Sequence, residues 1–201
     1  MKTFFITKGS GRGSLRLLAV FLFSFTAANF CAAASHIVVY GDSGVYGKGV
    51  SREEAYPAQL QRMLRQKGHD VTVTNAGENG RTTADAVANV GSVGKADVVI
   101  VQFGVNDAKH GVPLATIRNN IDTVVKTLKS RGAAVVVVGY PAADLSGVAS
   151  AHGAPYVTWG GLPGAQYHVP GDPQNHFNAA GLQVMASRIM PAVERLIAAK
   201  Q

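Results

Sequence analysis

Ile37-Val38-Val39-Tyr40-Gly41-Asp42-Ser43-Gly44 is the stretch on which the fold turns. Its β-branched run, closed by Gly41, predicts a buried strand, because a continuous apolar run suits a strand covered on both faces. A serine just past the carboxyl end of such a strand sits where open α/β sheets gather their ligands. Ser43 is therefore read as a nucleophile, and Gly44, Gly47 and Gly49 as parts of the loop that follows it. A hydroxyl attacks poorly unless a base takes its proton and donors hold the developing oxyanion. Partners for Ser43 are expected elsewhere in the chain.

The 201 residues suit one domain with a substantial core, and 47% hydrophobic against 15% charged residues exclude a disordered chain. At the N-terminus, Lys2, Lys8, Arg12 and Arg16 precede an apolar run from Leu17 to Phe30 that ends at Ala32-Ala33-Ala34. This is the pattern of a secretory signal peptide over residues 1–34, cleaved after Ala34. Ser24, Thr26 and Asn29 interrupt the run, which falls short of the roughly 20 apolar residues of a spanning helix. No stable membrane anchor is expected after cleavage, and Phe30 before Cys31 disfavours a lipid on that cysteine. The folded domain is expected over 35–201, periplasmic or secreted.

The four basic residues of the leader supply more than half of the net charge of +7. Those that remain, among them Lys48, Arg62, Arg65, Lys126, Arg131 and Arg188, form no stripe interleaved with aromatics, so nucleic acid is not an expected partner. Without Cys31 the mature chain has no disulfide, and its stability must come from its core.

Downstream, Tyr56, Leu60, Met63 and Leu64 at helical spacing predict a helix over 51–67, with Ser51 as N-cap and Gly68 as terminator. Strands are predicted at 71–75, 97–103, 133–138 and 156–158, with a weak helix from Thr83 to about Val90. A helix opened by Pro113 carries Ile117, Ile121, Val124, Val125 and Leu128 on one face, and a last helix runs over 179–198. The segment 139–155 has room for only a short helix. Strands alternating with helical patterns predict a parallel sheet of about five strands, covered on both faces.

Four polar clusters fall just after the predicted strands or before the last helix: Gly41-Asp42-Ser43, Asn75 to Gly80, Gly104-Val105-Asn106-Asp107, and Asp172 to His176. In this order they resemble the blocks of the SGNH hydrolases, the GDSL esterase and lipase family, with Asn175-His176 to Gly181 matching the histidine block. The resemblance covers 35–201 and implies a three-layer, flavodoxin-like α/β/α fold. It implies Ser43 as nucleophile and His176 as general base, with the oxyanion held by the N–H groups of Ser43 and Gly80 and the side-chain amide of Asn106. It implies no cofactor. The residue chemistry agrees, since glycine lets a backbone N–H come close to a substrate and asparagine is a neutral donor.

This chain departs from the family pattern twice. The aspartate that orients the histidine usually lies three residues before it; here Pro173 holds that place and Asp172 lies four before. Either Asp172 completes a triad, or a backbone carbonyl orients His176 in a Ser–His dyad. At the second departure Gly44 replaces the leucine of the motif's name, a residue that packs rather than reacts.

The implied activity is hydrolysis of carboxylic esters, with thioesters or lysophospholipids as extensions, through an acyl-enzyme on Ser43 and with a small-molecule ester as partner. A carbohydrate O-acetylesterase and a catalytically weakened binding module on the same fold remain as alternatives. Acyl chain length is set by the loops around Tyr46, His110 and Trp159, whose brevity favours short acyl groups. Trp159 and Tyr167 either line that pocket or pack in the core. Asp42 and Asp107 are read as bonding loop backbone, Arg81 as a solvated loop residue, and the remaining histidines show no metal-ligand spacing. Oligomeric state is not legible.

Overall fold

Five strands, β1 (Ser35–Gly41), β2 (Val71–Gly77), β3 (Val98–Gln102), β4 (Ala134–Gly139) and β5 (Tyr156–Thr158), form one parallel sheet in the order β2-β1-β3-β4-β5. The structure is a computed structural model that describes residues 34–172 and 176–200. The leader expected over 1–34 lies outside the described residues except for its last position, as do Pro173 and Asn175 of the histidine block.

The strands form where the sequence is continuously apolar. All five residues of β3 are buried, as are five of the six in β4, which requires a helical layer on each face. Those layers are built from α2 (Tyr56–Gln66) packed on α7 (Ala179–Ala198), and from α3 (Thr83–Asn89) packed on α5 (Leu114–Ser130). The five apolar residues expected on one face of α5 are the five it buries. The segment between β4 and β5 holds the short helix α6 (Ser146–Ala151). Among the described residues no helix is long and apolar enough to cross a membrane.

The fold corrects the sequence reading in two places. The second helix begins at Tyr56, not Ser51, with Pro57 in its first turn. Ser51 instead closes a separate turn, donating from its N–H and Oγ to the Glu54 carboxylate at 3.0 and 2.9 Å. Two very short helices, α1 (Ser43–Tyr46) and α4 (Val105–Lys109), stand where loops were expected. Both open at carboxyl ends of strands, α1 after β1 and α4 after β3. Those strands are neighbours, and between them the strand order reverses, leaving a crevice at that edge.

Candidate active site

Ser43 opens α1, and its position follows from its neighbours. Asp42 caps the turn, its carboxylate accepting the Gly44 N–H at 2.9 Å. Gly41 allows close packing there, since a Cβ would lie 2.3 Å from a Val45 methyl. Ser43 is 8% exposed and Asp42 is fully buried. Burial pushes the Asp42 carboxyl up to about 7, against the lowering effect of the Gly44 and Tyr140 hydrogen bonds and of Lys109.

His176 comes from the opposite end of the chain. Its Nε2 lies 2.9 Å from Ser43 Oγ, and its Nδ1 is hydrogen-bonded to Asp172 Oδ2. With Nδ1 donating to the carboxylate, Nε2 is left as acceptor for the serine hydroxyl. The loop that carries the ring is closed by an antiparallel bridge between His168 and Phe177 and by Val169 N–H donating to the His176 carbonyl at 3.0 Å. At its end Asn178 caps α7 and donates to the carbonyls of Gln166 and His168 at 2.8 and 3.1 Å.

Ser43, His176 and Asp172 are thus brought together, including across the four-residue spacing that departs from the family pattern. Asn106 is tied to the loop that carries Gly80. The Asn106 amide donates to the Arg81 carbonyl at 2.8 Å, while Gly80 is exposed and holds φ +78°. Asp107 accepts from the Thr83 N–H and Oγ1, with distances of 2.9 and 2.5 Å to its nearer oxygens, and so joins α4 to the start of α3. Arg81 pairs with Glu78.

A cavity of 680 Å³ opens beside Ser43 and His176. Tyr140, Trp159, Leu162, Phe177 and Leu182 wall it, and Lys48 and Lys109 also face it. Trp159 therefore does both things the sequence left open: it lines the pocket and is buried against Tyr56 and Phe177, with ring centroids 5.3 and 5.7 Å away. Tyr46, His110 and Tyr167 are not among the cavity's lining residues, though Gly47 and Lys109 are. Among the described residues no group of three or more His, Cys, Asp or Glu is placed to hold a metal ion.

Sequence reasoning missed Gln102 and Tyr140, which lie beneath the turn that carries Ser43. Gln102 Nε2 donates to the Tyr140 hydroxyl at 2.8 Å, and Tyr140 donates to Asp42. A glutamine inside an otherwise apolar strand run was the available signal.

A family model described as GDSL-like lipase/acylhydrolase matches residues 39–184. An arylesterase of Vibrio mimicus is 32% identical over 127 residues, which are 62% of this chain and 63% of the arylesterase. Esterase TesA of Pseudomonas aeruginosa is 30% identical over 111 residues, 54% of this chain and 55% of the esterase. The chain thus spans less than two thirds of the length of these curated relatives. A crystal structure of TesA shares the fold with a TM-score of 0.72 at 22% identity, covering 81% of this chain and 99% of the TesA chain.

Proposed function

The chain belongs to the GDSL-like lipase/acylhydrolase family, and from that premise we propose that it is a serine esterase that cleaves carboxylic esters through an acyl-enzyme on Ser43. The observation that carries this reading is the hydrogen-bonded chain Ser43–His176–Asp172 at the mouth of an apolar cavity. His176 Nε2 takes the Ser43 proton as Oγ attacks the ester carbon, and Asp172 stabilises the imidazolium that forms. The oxyanion is held by the N–H groups of Ser43 and Gly80 and by the Asn106 amide, whose second N–H remains for it after the bond to Arg81. His176 then protonates the departing alkoxide or thiolate, and water repeats the attack on the acyl-enzyme.

The cavity supports esters with an apolar acyl or aryl group larger than acetyl, which the expected preference for short acyl groups did not anticipate. Thioesters and lysophospholipids carry such groups, and Lys48 and Lys109 at the cavity suit a negatively charged leaving portion. An O-acetylated sugar would meet walls of aromatic and aliphatic side chains that offer its hydroxyls few partners. The domain that does this work spans 35–201 and, given the leader over 1–34, acts in the periplasm or outside the cell.

Labelling with a fluorophosphonate probe tests the nucleophile. Wild type is expected to label and Ser43→Ala not to. An unlabelled wild type, or equal labelling of the variant, overturns the assignment. A panel of p-nitrophenyl esters from acetate to palmitate, run beside an acetylated sugar, tests the substrate class, with the sugar expected to be the poorest.

A further inference from the structure

Gly44 follows the nucleophile, and a Cβ built on it would lie 2.6 Å from Gln102 Nε2 and 3.1 Å from the Tyr140 hydroxyl. These two polar groups occupy the space into which any side chain at position 44 would start to grow. They come from the tips of adjacent strands, Gln102 at the end of β3 and Tyr140 directly after β4. The Tyr140 hydroxyl lies 2.9 and 3.0 Å from the two oxygens of Asp42, and Asp42 caps the turn that carries Ser43. Three strand ends are thereby joined through one phenol.

This arrangement is costly. Gln102 Oε1 is buried with no hydrogen-bond partner among the described residues, so its loss of hydration is uncompensated. Asp42 is buried with its carboxyl raised, and burial together with the Asp42 charge keeps the Tyr140 phenol protonated well beyond its ordinary range. Apolar packing would avoid both costs. A satisfied polar contact, however, fixes a donor and an acceptor in one geometry, which loose apolar packing does not. The Tyr140 ring also walls the cavity beside Ser43 and His176.

We propose that Tyr140 is a positioning residue for the nucleophile: its hydroxyl holds Asp42, and with it the turn that presents Ser43 Oγ and N–H to His176 and the substrate. The proposal rests on Ser43 being the nucleophile. Gly44 leaves the room that Gln102 and Tyr140 fill, so the missing leucine of the motif is matched by side chains from two other strand ends.

Tyr140→Phe keeps the ring and removes only the hydroxyl. The expected result is a loss of about tenfold in kcat on p-nitrophenyl butyrate and in the rate of fluorophosphonate labelling, with KM changed less than about twofold. The pH range over which stability falls should also extend to higher pH, because the lost hydrogen bond had favoured ionised Asp42. Lys109 and Asp107 on α4, which act on Asp42, and Tyr56 on α2, which is itself raised by the Asp42 charge, are untouched by this change. A labelling rate and a pH dependence of stability equal to wild type, or a change confined to KM, overturns the proposal and leaves Tyr140 as a cavity wall. Should Tyr140→Phe not fold, Gln102→Met carries the test. It removes the donor to the phenol without touching Asp42, and an unchanged labelling rate in it counts equally against the proposal. Wild type that fails to label would instead overturn the Ser43 reading itself.

Discussion

Asp42 and Asp172 stand beside the two members of the Ser43–His176 pair, and they are built into the molecule in opposite ways. Asp42 is fully buried at the end of a core strand, accepts from Gly44 and Tyr140, and sits under the sheet's own packing. The Asp172 side chain is 31% exposed, on a loop outside the sheet that is closed by the His168–Phe177 bridge. The core therefore sets where Ser43 is, while a few local hydrogen bonds set where His176 is. Changes at the first end should register in stability and its pH dependence as well as in turnover, and changes at the second mainly in turnover.

Asp172→Asn tests the histidine end most severely. An amide cannot stabilise an imidazolium and allows the wrong ring tautomer, so kcat/KM should fall by about 10²–10⁴-fold. The melting temperature should move by no more than about 2 °C, since the lost partner is a loop carboxylate near solvent. Steady-state hydrolysis of p-nitrophenyl butyrate and a thermal melt read the two quantities. Activity within about twofold of wild type would leave the dyad as the working arrangement.

Asp42→Asn tests the other end. The folded-state carboxyl of Asp42 lies at about 7, against about 3.9 in an unfolded chain. The folded protein therefore binds more protons between those values, and Asp42 lowers stability progressively as pH rises from about 4 to 7. Asparagine keeps an acceptor for the Gly44 N–H but carries no charge. The variant should exceed wild type by about 2–4 kcal/mol at pH 8, with the gain shrinking by pH 5 and gone near pH 4. Urea denaturation at pH 8 and pH 5 measures it. A difference that is the same at both pH values would mean that Asp42 is not held in the uncharged form by its burial.

This contrast also explains what was legible in the chain. Continuous apolar runs gave away β1, β3 and β4 because burial on both faces leaves few polar positions, and α5 was legible from spacing alone. The helices α1 and α4 were not, since four or five residues are too few to show a period. Ser51 misled because a serine three residues before a glutamate satisfies the same hydrogen bonds in an isolated turn as at a helix start. Ser43 and His176 could be read from motif order. The reach of Asp172 could not, because a one-residue offset is resolved only by the path of the loop. Gln102 was signalled as a polar residue in an apolar run, but its link through Tyr140 to Asp42 joins three strand ends, and nothing local in sequence encodes that link.

The histidine end also offers a gentler test at Asn178. Asn178 accepts the Gly181 N–H at 3.1 Å as the cap of α7, and its amide donates to the carbonyls of Gln166 and His168. The same side chain thus starts a core helix and fastens the base of the loop that bears His176. Asn178→Ala removes the cap and both loop bonds, which should cost about 1–2 kcal/mol of stability. If the loop's few bonds are what hold the ring, kcat should fall about two- to fivefold as well, with no shift of the pH profile because no charge is altered. Urea denaturation and initial rates on one preparation read both. Lost stability with full turnover would show that the His168–Phe177 bridge and the Val169–His176 hydrogen bond suffice to place the base, which would make the loop more rigid than its exposure suggests.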